Sequence, residues 1–408
     1  MNNRKEMEQS AERNRQLRWA GILLKRKRLE KGWSQESVCR GICAVSTLSK
    51  IESGSATGSE EILNLLAEKL SLTLSVFSEE NRKQEKEIFE LLEAGRFHGA
   101  ALRLEELQKK RDQEQLLPDL TWTLLIGLLS EDSSWKLLED TLDIMDNRER
   151  ILYGLLKRDY DLVLMFHPEA WVLLLCMSEM YRNRAPEYQV LEMGSRAYQR
   201  AAEDGELLLM GEISTYQAAV CSNILDFSSS FKYMKRAEKI YTMLEEWEFL
   251  DELYYNMACT LMQAGRFQEA MDCFEKICSQ NTGMILNKMA ICYEQLLEPE
   301  KALDLLERAR SAENDGWSDE MMERMLEVTR IRLERKDWLH DAEYGEKLLS
   351  LYEALQEQEQ VHKGFAQFYL PWMIQWLKAS RQYARLAEIM EGFSKICLFE
   401  PVKGQSEL

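Results

Sequence analysis

The motif Ala-Gly-Arg-Phe-x-x-Ala occurs twice in this chain, at Ala94 to Ala100 and at Ala264 to Ala270, each time between two runs of helix-forming residues. A motif that recurs in one helical setting marks a repeat array, in which a small helical unit buries its apolar face only by stacking on its neighbours. Around the second copy, Ala258, Leu261, Gly265, Phe267, Ala270 and Phe274 supply the small and large positions that let two helices pack closely. The next stretch has Ala290, Tyr293, Ala302, Leu306 and Ala309 in matching places.

This pattern resembles the tetratricopeptide repeat, although Ala270 to Ala302 is 32 residues where about 34 is usual. Weaker units are placed at Trp122 to Asp143, Trp171 to Ala202, Met210 to Leu244, Met321 to Leu351 and Phe365 to Phe393. The expectation is roughly eight hairpins, stacked into a right-handed α-solenoid with a concave groove suited to an extended peptide. Helical spacing directs Glu252, Tyr255, Cys259, Met262 and Gln263 into the groove, with Met284, Asn287, Ile291, Glu294 and Gln295 beside them. An asparagine amide both donates to and accepts from a peptide backbone. The candidate peptide contacts are therefore Asn223, Tyr255, Asn256, Gln263, Asn287 and Glu294.

The net charge of −18 argues against nucleic acid until its distribution is counted. Met1 to Leu70 carries 13 Lys and Arg against 9 Asp and Glu, so the first 70 residues are net +4 and the remainder is net −22. A basic head on an acidic body points to DNA binding confined to the head.

Within the head, Leu17 to Leu29 reads as an amphipathic helix with Leu17, Ala20, Gly21, Leu24 and Arg28 on one stripe. Ser34 caps a second helix over Gln35 to Arg40, Gly41 provides a turn, and a third helix runs from Val45 to Glu52. Ser59 caps a fourth, from Glu60 to Leu70, whose two leading glutamates face the positive end of its dipole.

The run Ser34-Gln35-Glu36 followed by Gly41-Ile42-Cys43-Ala44-Val45-Ser46-Thr47-Leu48-Ser49-Lys50-Ile51-Glu52-Ser53-Gly54 resembles the Cro/repressor-type (XRE-like) helix-turn-helix. With the repeats, it resembles the RRNPP-type regulators (Rgg/PlcR-like), cytoplasmic receptors that join this domain to tetratricopeptide repeats. The resemblance implies that Gln35 meets a DNA phosphate, that Val45, Ser46, Thr47, Ser49 and Lys50 face the groove, and that Arg28 and Glu52 form a structural ion pair. Lys50 can donate to guanine, and the three hydroxyls can donate or accept, which suffices for direct readout.

The expected fold is all-α, a lambda-repressor-like helix-turn-helix domain followed by a TPR-like solenoid. Its expected boundaries are a basic extension at 1–16, the DNA-binding domain at 17–74, a linker at 75–86, repeats at 87–400 and a tail at 401–408. The nine scattered cysteines suggest neither a disulfide framework nor a zinc site. Cys259, Cys273, Cys278 and Cys292 read as core residues. His98, His167, His340 and His362 have no metal-ligand spacing, and no catalytic motif or membrane span is present, so no cofactor and no enzyme activity are expected. The function expected is a cytoplasmic, homodimeric transcription regulator that binds double-stranded DNA and whose repeats bind a short signalling peptide. Two alternatives stay open: a regulator whose repeats dock a protein or only oligomerise, and a scaffold without DNA binding.

Overall fold

The computed structural model describes residues 2–74, 79–113, 116–117, 119–130, 134–278, 282–313, 317–357, 366 and 368–397. Residues 75–78 of the expected linker, His362, Phe365, residues 398–400 of the expected repeat region and the tail 401–408 lie outside them. The chain forms two compact units, residues 1–213 and 214–408.

The head consists of α1 (Asn2–Glu30), α2 (Gln35–Cys39), α3 (Val45–Glu52) and α4 (Glu60–Lys69). The first sixteen residues, expected as an extension, are helical from Asn2 and continuous with the helix expected from Leu17. Asn2 to Ala20 contains neither Pro nor Gly and is rich in Glu, Arg and Gln, so nothing in it stops a helix. The stripe of Leu17, Ala20, Leu24 and Arg28 is buried, and so are Trp19 and Leu23. Ser34 and Ser59 cap α2 and α4 by accepting from the backbone N–H of Ser37 and Ile62. A two-residue parallel ladder, β1 (Thr73–Leu74) with β2 (Leu116–Leu117), ties the end of the head to the first repeats.

Beyond the head the described residues are mostly helical. In the first unit these helices are α5 (Glu79–Glu93), α6 (Phe97–Gln113), α7 (Leu120–Leu129), α8 (Asn147–Lys157), α9 (Tyr160–Leu164), α10 (Ala170–Arg182) and α11 (Glu187–Asp204). Helix α12 (Leu207–Asn223) passes into the second unit. That unit continues with α13 (Phe227–Leu244), α14 (Trp247–Gln263), α15 (Phe267–Phe274), α16 (Gly283–Gln295), α17 (Pro299–Arg310), α18 (Asp319–Glu334), α19 (Ala342–Glu357), α20 (Leu370–Ala379) and α21 (Tyr383–Cys397).

One local device closes these hairpins. After α5, α8, α10, α12, α14, α16 and α20 the chain places one residue in the left-handed region: Gly95, Arg158, Arg184, Leu225, Gly265, Leu297 and Arg381. At each, two crossed backbone bonds finish the helix, as in Leu297 N–H to the Glu294 carbonyl at 3.2 Å and Glu298 N–H to the Tyr293 carbonyl at 2.9 Å. This is the Schellman arrangement, which satisfies carbonyls that a helix end otherwise leaves open. The sequence motif shared by residues 94–100 and 264–270 is the glycine form of this turn. The other five copies carry Arg or Leu, so no glycine marks them in the sequence.

Between the turns, alanines hold the helices together. Ala258, Ala270, Ala290 and Ala302 are fully buried, and the last two join Leu286, Leu305, Leu306, Ala309 and Leu326 in one continuous core across α16, α17 and α18. Cys273 and Cys292 are buried and Cys259 is half-buried, but Cys278 is exposed, a correction to its reading as core. It lies beyond the end of α15, and its backbone N–H donates to Asp251 at 3.0 Å.

Leu297 is 87% exposed with φ of +63°. Its side chain gains little from burial while its Cβ strains the backbone, so Leu297→Gly is expected to stabilise the protein by about 1 kcal/mol. Equilibrium urea unfolding checks this; a variant that is equally or less stable would show that the turn carries no strain.

Candidate functional site

The third helix of the head is held by its buried side. Leu48, Ile51 and Glu52 face inward, while Val45, Ser46, Thr47, Ser49 and Lys50 are exposed. Val45 is 43% exposed, an apolar side chain offered to solvent on a helix that had buried positions available. Gly21 of α1 makes the close crossing possible, because a Cβ there would stand 2.4 Å from the Ile51 carbonyl oxygen.

Glu52 is the hub of the head. Arg28 donates to both of its oxygens, from Nε at 2.6 Å and from Nη2 at 2.8 Å, and also donates from Nη1 to the Trp33 carbonyl at 2.7 Å. Gln35 Nε2 adds a third bond to Glu52, at 2.7 Å. The two charged side chains are 7% and 3% exposed, and the hydrogen bonds to Glu52 raise the Arg28 pKa. A buried pair of this kind costs about 3–5 kcal/mol when one partner is removed, because the other charge is left uncompensated. It locks α1, the start of α2 and the end of α3 into one body. Gln35 thus spends one amide hydrogen inside the head and retains the other. Helix α3 has no side-chain cap at Ala44, so its first N–H groups and the positive end of its dipole remain uncovered beside the polar face.

Helix α1 also anchors the head to the first repeats. Arg15 pairs with Glu149 of α8 and with Asp146 at 3.4 Å, and Arg18 pairs with Asp143 at 2.7 Å while donating to the Gly54 carbonyl at 3.2 Å. A cavity of about 380 Å³ lies at this junction, lined by Arg15, Trp19, Glu85, Phe89, Asp119 and Glu149, among others. Burial pushes the Glu85 carboxyl up to about 10, aided by the neighbouring Asp119 charge. Burial, with Asp146 beside it, pushes Glu149 up to about 7 despite Arg15.

The second set of candidate residues lies on the repeat helices of the second unit. Gln263 is exposed, and its Oε1 accepts from the Ser222 hydroxyl at 3.3 Å. Asn223 and Asn256 are half-buried, and the Tyr255 ring lies edge-on to Phe274 at 6.3 Å. Glu252 is exposed, and the protein around it raises its pKa. Glu294 is occupied by Arg332 of α18, which donates from two nitrogens at 2.7 Å each.

Asn287 is fully buried beside Tyr369, and Tyr344 is fully buried beside Arg332. Periodicity did not single out Lys288, Arg332 or Phe368. Lys288 is 2% exposed, its ammonium is 3.3 Å from the centre of the Phe368 ring, and burial lowers its pKa. Arg332 lies under Trp372 at 4.4 Å. A lysine and an arginine on an otherwise apolar stripe were the only available signal, and alone they read as solvated side chains.

Residues 24–77 match a helix-turn-helix family model and residues 251–282 match a tetratricopeptide repeat model. The chain joins a helix-turn-helix domain to tetratricopeptide repeats. This is the combination expected from its resemblance to the RRNPP-type regulators. Neither model is of a catalytic family. No curated protein matches the chain. Among solved structures, the Rap protein complexed with competence and sporulation factor has a TM-score of 0.57 at 14% identity, covering 78% of this chain and 100% of its own. ComR from S. thermophilus, in complex with DNA and its signalling peptide ComS, has a TM-score of 0.29 at 16% identity, covering 71% and 99%. PlcR from Bacillus thuringiensis, in complex with the peptide PapR7 and DNA, has a TM-score of 0.22 at 17% identity, covering 78% and 99%. The Rap comparison supports an all-α fold of TPR-like helical repeats. Among the described residues no helix is long and apolar enough to cross a membrane, and no group of His, Cys, Asp and Glu could hold a metal ion.

The raised Glu85 carboxyl makes stability depend on pH. Below about pH 4 both folded and unfolded chains hold its proton. As pH rises toward 10 the unfolded chain releases that proton while the folded chain keeps it, so stability falls. Glu85→Gln is expected to stabilise the protein at about pH 8 by on the order of 1 kcal/mol and to change nothing at about pH 4. Thermal unfolding at the two pH values checks it; an equal effect at both would contradict the raised pKa.

Proposed function

We propose that this protein is a sequence-specific DNA-binding transcription regulator whose repeats sense a short peptide. The observation that carries the DNA reading is the face of α3. A helix locked from behind by Arg28 and Glu52 presents two serines, a threonine, a lysine and an exposed valine together, next to an uncapped helix start. A helix laid in the major groove reads bases with such residues: Lys50 donates to guanine, the hydroxyls donate or accept, and Val45 packs on a thymine methyl. The second amide hydrogen of Gln35 serves a phosphate and fixes register.

The peptide reading takes Asn223, Tyr255, Asn256 and Gln263 of the second unit as its contacts; of the other candidates, Glu294 is committed to Arg332 and Asn287 is buried. It draws support from the Rap protein, whose repeats have a comparable fold and whose structure holds competence and sporulation factor. Ligand and DNA are coupled only if the peptide favours one arrangement of the protein over another. A homodimer completes the proposal, since paired heads reading two half-sites raise specificity beyond what one small domain reaches. The net charge of −22 outside the first 70 residues favours an arrangement in which only the heads meet the duplex.

Selection from a random duplex pool, followed by binding curves at several salt concentrations, tests the DNA reading. Lys50→Ala is expected to weaken binding to the selected site by about 1–3 kcal/mol and to relax preference at one position. Gln35→Ala is expected to weaken binding to all sequences alike. If no sequence is enriched and both variants bind as the parent does, the protein is not a sequence-specific regulator.

A further inference from the structure

We infer that the cavity between α1 and the first repeats is a binding site for a small organic cation, an ammonium or guanidinium on an apolar body, held by Glu85 and Asp119. This goes beyond the DNA and peptide readings and does not rest on them.

The cavity lies wholly within the first unit, and its volume of about 380 Å³ falls in the range of small-molecule sites, about 300–1,000 Å³. Two kinds of wall meet in it. Trp19 of α1, Phe89 of α5, Leu120 of α7 and Leu152 of α8 are buried and form an apolar side. Glu85 of α5 and Asp119, the residue that caps α7, form a polar one. Their carboxyls meet each other, and the Asn81 amide nitrogen donates to both, to Glu85 at 3.0 Å.

Among the described residues neither carboxyl forms a salt bridge, although basic side chains stand on every neighbouring element. Each of those has other contacts. Arg15 of α1 pairs with Glu149 and Asp146 of the α8 wall, and Arg148 pairs with Glu93 while lying 3.7 Å from the centre of the Phe89 ring. On α5, Lys86 pairs with Glu90 at 3.3 Å and Arg82 is exposed. Arg111 of α6 donates to the Asn81 carbonyl oxygen and lies 4.1 Å from the centre of the Trp122 ring.

Two touching carboxyls without a paired cation keep a proton between them, in accord with the raised pKa of Glu85. An ammonium or guanidinium brings a positive charge and several N–H donors to the same place. It replaces that proton, which leaves to solvent. A neutral ligand of the same shape cannot make this exchange, and an anion is repelled. The aromatic and leucine wall then takes the apolar body of the ligand. Because α1 forms one side of the cavity, an occupant lies against the head and the repeats together.

The test is calorimetric titration of the full chain with putrescine, agmatine and phenethylamine, with phenylethanol as the uncharged control. At least one amine is expected to bind one to one, and phenylethanol is not. Since a proton leaves as the cation enters, affinity is expected to rise by up to about tenfold per pH unit between about pH 6 and about pH 8. Titrations in buffers of different ionisation enthalpy are expected to show that proton released. Glu85→Gln and Asp119→Asn, the second of which keeps a cap on α7, are each expected to weaken binding at least about tenfold. Glu85→Gln also flattens the pH dependence, leaving only a shallow rise as Glu149 ionises near pH 7. Glu105→Gln, on the exposed side of α6, is expected to change nothing. Either cavity variant suffices if the other does not fold. No binding by any amine, equal binding of phenylethanol, or binding that both cavity variants leave intact overturns the site; the last result would put the amines on the acidic surface instead.

Discussion

The repeats of this protein depend on ending a helix cleanly and reversing the chain within two residues. A helix stop leaves carbonyls without partners, and in a stacked array those carbonyls lie close to the next hairpin. One residue in the left-handed region answers this by closing two crossed backbone bonds, and the same pair of bonds recurs at Gly95, Arg158, Arg184, Leu225, Gly265, Leu297 and Arg381. The turn fixes where the second helix starts, and the buried alanines then fix how near it lies to the first. Chemistry placed on the first helix of each pair therefore arrives at a set position and orientation.

The head uses a different constraint for the same purpose. Its helices are short, and α2 has only five residues, so helix propensity contributes little to their placement. Orientation comes instead from one buried carboxylate, Glu52, which gathers Arg28 and Gln35, and from the contact of Gly21 with the Ile51 carbonyl. The exposed face of α3 is thus aimed by groups that never reach the surface. Arg15 and Arg18 carry that orientation into the first repeats through Glu149, Asp146 and Asp143.

In the second unit several polar side chains, among them Asn287, Lys288 and Arg332, are buried among the repeats. Glu294 and Arg332 answer each other, so that part of the face is a stable structural pair. Asn287 lies beside Tyr369, and the Phe368 ring lies over the Lys288 ammonium.

Much of this was legible in the residues themselves. Helix starts at Gln35, Val45 and Glu60, the buried stripe of α1 and the small-residue positions from Ala258 to Ala309 follow from capping chemistry and periodicity, which act over a few neighbouring residues. The basic head and the polar kit of α3 are likewise local. Other features required the tertiary structure. The five turns closed by Arg or Leu carry no glycine to announce them; the crossed backbone bonds hold the left-handed residue there. That Glu294 is already paired, that Cys278 lies outside the core, and that Phe368 and Tyr369 cover Lys288 and Asn287 all depend on residues 38 to 82 positions apart or on where a helix ends. Sequence periodicity determined which face of each helix turns inward; which partner meets it there was decided by how the hairpins stack, since contact between distant segments is a property of packing and not of local spacing.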